Sequence, residues 1–233
     1  MVGRGVGKAA AAAAVAAALV GGCAPGGGAD RLAAGPSAGG TGPPAGAAGP
    51  AATAPGAAAD GRVAAKGGTL GGPGSACPLP VTFDLAAAWV PERIAPVDDP
   101  DLRSLLDQGT VTVVCEVDAK PAGSVGFLRV WTDGDRAATP RRVLESFVAG
   151  AESPASVVHR DVRLAADPAL PAAEVTYAVT SRLPDERKRV RALAVVTASG
   201  PVVLELGGMD SAEHEAMLPA YALAKGSLKA ARR

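Results

Sequence analysis

The chain has 233 residues, 48% of them apolar but only 3% aromatic, with 30 Gly, 20 Pro and a formal net charge of zero. A balanced charge leaves no electrostatic footprint for a polyanion, so nucleic acid is not expected as a partner. All the aromatic residues lie at Phe83 or later, which confines the mass able to build a core to the C-terminal part.

Arg4 and Lys8 form a short positive region ahead of Ala9 to Val20, an uncharged run of small and aliphatic side chains. Such a run, roughly 12 residues, suits the apolar centre of a signal peptide and falls well short of the roughly 20 a bilayer-spanning helix needs. Leu19, Val20, Gly21, Gly22 and Cys23 follow and resemble a bacterial lipobox, with small residues just before the cysteine and Val20 three positions ahead. The resemblance implies that residues 1–22 are a removed signal peptide and that Cys23 carries the lipid. The protein would then sit on the extracytoplasmic face of the cell membrane, each buried methylene of its acyl chains contributing roughly 0.8 kcal/mol. An ordinary secretory leader with an incidental cysteine is the alternative.

Residues 24 to 74 are almost wholly Ala, Gly, Pro, Ser and Thr. They hold too little apolar mass to offset their ordering entropy, so the stretch 23–75 is expected to be a disordered tether and 76–233 the folded domain. Gly35, Pro36, Ser37, Ala38 and Gly39 spell the Gly-x-Ser-x-Gly pattern of serine hydrolases. That nucleophile turn needs a strand before it and a helix after it, which this tract cannot supply.

Within the domain, Val81, Phe83 and Leu85 alternate with Thr82 and Asp84 as a half-buried strand running into Trp89. Asp98 to Asp101 opens a helical turn through Leu102, Leu105 and Leu106, ended by Gly109; its acids suit a helix N-terminus better than a calcium loop. Val111, Val113, Cys115 and Val117 predict one strand face, so Cys115 should point where Val113 points. Val125 to Trp131 is apolar on both faces apart from Arg129 and reads as a central strand. Thr139 and Pro140 start a helix whose stripe is Val143, Leu144, Phe147 and Val148, closed by Gly150. Four strands follow, Val157 to Leu164, Ala173 to Ser181, Val190 to Thr197 and Val202 to Leu206, with short turn-rich connections that imply antiparallel neighbours. Asp210 and Glu213 have capping-box spacing ahead of an amphipathic helix through Met217, Ala220, Tyr221, Ala224 and Leu228, kinked or restarted at Pro219. Runs of strands punctuated by helices predict an α+β domain, an antiparallel sheet flanked by helices. Cys77 and Cys115 remain as an even pair in an exported chain, and a disulfide is the natural reading, with two buried free thiols or a metal pair as alternatives.

The strand into Trp89, the helix after the third strand, the four-strand meander and the closing helix together resemble the actinobacterial LpqN/LpqT-type lipoproteins. So do the blocks Gly126 to Thr132 and His214 to Tyr221. The resemblance covers residues 80 to 229 and implies the PsbP-like αβα sandwich. It also implies a non-catalytic envelope module, anchored to the membrane by its lipid, that contacts envelope proteins or lipidic cell-wall material. Those lipoproteins carry Pro-x-Gly-Trp where this chain reads Ala86, Ala87, Ala88 and Trp89.

Little here suggests catalysis. His159 shares a strand face with Asp161, and His214 lies between Glu213 and Glu215 in a helix first turn; both read as surface residues. No nucleophile can be assigned to His159, and His214 lacks the second histidine of a zinc-protease motif, so no enzyme, metal or cofactor is expected. The sharpest polar feature is Arg187, Lys188, Arg189 and Arg191 at a hairpin tip, read either as solvated charge or as a contact for an anionic surface. A carrier holding a lipid or small hydrophobic ligand between sheet and helices is the alternative to a binding or scaffolding module.

Overall fold

In the computed structural model, residues 62–180 and 187–231 are described; the expected signal peptide, Cys23 and the tether up to residue 61 lie outside them. The first strand, β1 (Lys66–Leu70), falls inside the stretch assigned to the tether. It pairs antiparallel with β2 (Val81–Ala86), Leu70 opposite Phe83, and Leu70 is buried. The domain therefore starts about ten residues earlier than its composition suggests. The strand Lys-Gly-Gly-Thr-Leu has one apolar side chain and no alternation to reveal it. What holds it is the backbone ladder, and a Cβ on Gly67 would stand 2.7 Å from Ala87 Cα.

β11 (Lys229–Ala230) pairs with the other edge of β2, completing a small three-stranded sheet. The larger sheet comprises β3 (Val90–Arg93), β4 (Asp107–Gln108), β5 (Val111–Asp118), β6 (Gly126–Thr132), β7 (Ala155–Val162), β8 (Ala172–Thr180), β9 (Arg187–Thr197) and β10 (Gly200–Gly208). Its order is β3-β5-β6-β10-β9-β8-β7, with β4 added to β5, and each pairing is antiparallel. The last four strands form the expected meander, and β6 is central as read. α1 (Pro100–Arg103) is a single turn capped by Asp99, whose side chain accepts from two backbone N–H groups. The expected α+β architecture, an antiparallel sheet flanked by helices, is present.

α2 (Pro140–Ala149) lies on one face of the large sheet. Thr139 caps it, and its stripe Val143, Leu144, Phe147 and Val148 is buried against Val175, Ala192 and Val203. Phe147 meets Trp131 edge-on at 5.3 Å between ring centroids. Burying each of these large side chains contributes about 2 kcal/mol. α3 (Ser211–Ser227) runs unbroken through Pro219 on the opposite face, with the small sheet beside it. Its contact with β6 is close: a Cβ on Gly126 would stand 2.3 Å from Met217 Cε and 2.6 Å from the Gly207 carbonyl.

β5 changes faces, contrary to its simple alternation. Val113 is opposite Trp131 and Cys115 opposite Val130, so one extra residue, Val114, is accommodated as a β-bulge. Val113 thus packs on the α2 side and Cys115 on the α3 side. There Cys115 forms a disulfide with Cys77, Cα atoms 6.1 Å apart, tying the segment between β1 and β2 to the large sheet.

Ala88 has φ 64° and is exposed at the turn between β2 and β3. A Cβ in the left-handed region costs about 1–2 kcal/mol, partly offset by the entropy glycine loses on folding. Ala88→Gly should therefore raise the unfolding free energy by roughly 0.5 kcal/mol in urea titration. A loss of stability would show that the turn is relaxed with alanine.

Candidate functional site

Side-chain alternation splits the basic run of β9. Arg187, Arg189 and Arg191 continue into Leu193 and Val195 on the α3 face, whereas Lys188 continues into Val190 and Ala192 on the α2 face. The four do not form one patch. The hairpin tip, residues 181–186, lies outside the described residues.

Three of them do join cations that the sequence left unremarked. Arg160 on β7 stands opposite Glu174 on β8, and Lys225 reaches the same carboxylate from the last turn of α3. Arg160, Arg163, Leu164, Arg191, Tyr221 and Lys225 line a cleft of about 500 Å³ between α3 and edge strand β7. Arg187 and Arg189 extend the basic strip along β9. Arg189 is held by Glu215 of α3 at 2.8 Å, and the Arg187 carbonyl accepts from the Ser211 hydroxyl at 3.0 Å. The Arg191 guanidinium lies 6.0 Å from the Tyr221 ring centroid.

Glu174 organises this cleft. It is fully buried, accepts from the Tyr221 hydroxyl at 2.7 Å and from Lys225 Nζ at 3.0 Å, and is ion-paired with Arg160. Burial pushes its carboxyl up, but the Tyr221 hydrogen bond and the Lys225 and Arg160 charges outweigh it and hold the group below the ordinary carboxylate range. The Tyr221 hydroxyl is correspondingly driven well above its usual value by burial and by the Glu174 charge. One buried anion thus fixes two cations at the cleft rim, which lowers the entropy of presenting them to a ligand.

The histidines sit differently from expectation. His159 is half-buried on the α2 face, its basicity lowered by burial and by Arg141. His214, expected at the surface, is 3% exposed. Asp210 caps α3 as predicted, accepting from the Glu213 N–H at 2.8 Å, but the reciprocal half of the capping box is missing. The Glu213 carboxylate accepts instead from the Val125 N–H at 3.1 Å, fastening the helix start to the loop before β6 and turning His214 inward. No helix among the described residues is long and apolar enough to cross a membrane, and no cluster of metal-ligating side chains occurs among them.

The fold and this cleft define an α+β domain with a basic groove along one helix, and comparison with known proteins places it further. Residues 47–228 match the model of a family described as "Uncharacterised lipoprotein", and the chain belongs to that family. A comparison with curated proteins finds no match. Among solved structures, the solution structure of cyanobacterial PsbP (CyanoP) from Synechocystis sp. PCC 6803 is similar, with a TM-score of 0.45 and 10% identity over 65% of this chain and 86% of that one.

Proposed function

We propose that this lipoprotein, akin to the LpqN/LpqT type, is anchored at Cys23 on the extracytoplasmic face of the cell membrane. It acts there as a non-catalytic binding or scaffolding module that docks its basic groove on anionic lipid headgroups. The observation that carries this is the alignment of Arg160, Arg163, Arg187, Arg191 and Lys225 along one side of α3, with Glu174 buried beneath them. The chain also enters the domain beside that helix: the Ala64 N–H donates to the Pro219 carbonyl at 3.0 Å. An anchor upstream therefore joins the domain at the element that walls the groove. Leu218, Tyr221, Ala224 and Leu228 pack directly on the sheet, and the clefts around them open at the surface, which favours docking over enclosure of a lipid.

A basic residue near an anionic membrane contributes about 1 kcal/mol. Replacing Arg163, Arg187 and Arg189 together by glutamine should then weaken binding of the domain to vesicles with one third phosphatidylglycerol by up to about 100-fold at low salt. Co-sedimentation of wild type and variant, at low and high salt, measures it. Equal binding to purely zwitterionic vesicles, or binding indifferent to the three substitutions, would reject the docking surface.

A further inference from the structure

On the opposite face of the large sheet, Glu116, Arg129 and Glu205 form one row across three strands, Arg129 opposite Glu116 on β5 and opposite Glu205 on β10. One cation thus faces two carboxylates. Its Nε donates to Glu116 at 2.7 Å while its guanidinium lies 5.1 Å from the Phe127 ring centroid, so Arg129 is committed to the Glu116 side. Glu205 is left 8% exposed with a single hydrogen-bond donor among the described residues, the Trp131 indole N–H at 3.0 Å. The next position in the row is Ala192, which has no charge to offer. A buried carboxylate with one neutral donor, and a share in a cation already paired with Glu116, has less compensation than such groups normally have.

Glu205 opens into a cleft of about 600 Å³ under the C-terminal end of α2, shared with Gln108, Tyr177, Val179, Lys188 and Val190. Lys188 makes no ion pair among the described residues. On β9 it stands four residues from Ala192, the neighbour of Glu205, which is about 13 Å along the strand. Between the two charges the floor is Val190 and Tyr177, cross-strand partners. Lys188 is thus too far along the sheet to neutralise Glu205.

We infer that this cleft binds a small zwitterion with an apolar middle, its ammonium seated on Glu205 and its carboxylate directed at Lys188. Ligand cleft and carboxylate meet the usual pattern of an apolar surface with a few convergent polar groups. The site is separate from the docking groove, on the other side of the sheet. Burial raises the Glu205 carboxyl above its ordinary value, with Glu116 adding to the rise and Arg129 and Trp131 opposing it. Glu152 and the buried Tyr177 hydroxyl also face this space, and only the carboxylate form can hold an ammonium, so affinity should rise with pH through the acid range.

The test uses 6-aminohexanoate as probe and the Trp131 indole N–H resonance, adjacent to Glu205, as reporter. The expected result is a saturable shift that weakens at least tenfold in Glu205→Gln and in Lys188→Met, and that is much smaller with n-hexylammonium or hexanoate. Glu205→Gln keeps an acceptor for the indole, and a dispersed spectrum with an unchanged or higher thermal midpoint shows that it is folded. Absence of a saturable shift, or equal affinity in wild type and both folded variants, overturns the site. Equal binding of n-hexylammonium and 6-aminohexanoate overturns the zwitterion.

Discussion

Replacing Cys77 and Cys115 together by alanine should lower the unfolding free energy by about 4 kcal/mol, the chain-entropy value for a loop of 38 residues. Both cysteines are buried, at 1% and 0% exposure, so the lost sulfur packing adds to the effect. The loss should be local as well as global. The bond pins the segment from Gly71 to Pro80 against β5; most of that segment's other bonds are internal, through Ser75 and between Gly71 and Leu79, with the buried Leu79 side chain and the Ala231 N–H on the Pro80 carbonyl as its further ties to the domain. Urea unfolding of wild type with and without reductant, beside the double variant, measures it. Midpoints that coincide for the oxidised wild type and the variant would show that the three-stranded sheet holds this segment without the cross-link. A large effect would also mean that the domain reaches full stability only in an oxidising compartment, which agrees with export of a lipoprotein.

The sequence is most readable where local chemistry and packing agree. Thr139, Pro140, the stripe from Val143 to Val148 and Gly150 mark α2 because cap, first turn, buried face and stop all point one way. The meander is readable because turn residues punctuate its strands, Pro168 and Pro171 between β7 and β8 and Ser199 with Gly200 at the turn from β9 into β10. What escapes is set by partners distant in the chain. β1 is a strand only because β2 offers it a ladder, and β5 reverses its faces only because β6 leaves room for Val114. Arg160, Glu174 and Lys225 meet from β7, β8 and α3, and nothing near any one of them announces the other two. A faint signal exists for the carboxylates. Glu174 and Glu205 each interrupt a run of apolar residues in a strand that is buried on both faces, which leaves a charge no route to solvent. The parity of Arg187, Arg189 and Arg191 was likewise open to reading, and it separates Lys188 from them.

Between pH 7 and pH 5 the domain should lose about 2 kcal/mol of stability, and about 3 by pH 4, through His214 alone. Its ring is buried at the first turn of α3, and its Nδ1 is buried without a hydrogen-bond partner. Burial pushes its pKa down from 6.5 to about 4; Glu215 opposes this, while Arg191 and Arg189 add to it. A folded-state pKa below the unfolded one means that the unfolded chain binds more protons across this window, so stability falls as pH drops below 6.5 and levels off below about 4. His159, also lowered, adds in the same direction. Glu205, raised in the folded state, opposes, since its proton favours the native form as pH falls. The contribution of His214 is isolated by urea unfolding at pH 7, 6 and 5 in wild type and His214→Gln, because the difference between their slopes cancels the other groups. Parallel slopes would place the His214 proton equally in both states and so contradict a ring sealed from water. Divergent slopes would show that His214 takes up its proton on unfolding, as a neutral ring buried at the start of α3 requires, beside the Glu213 tie to Val125 and the Ser211 tie to Arg187.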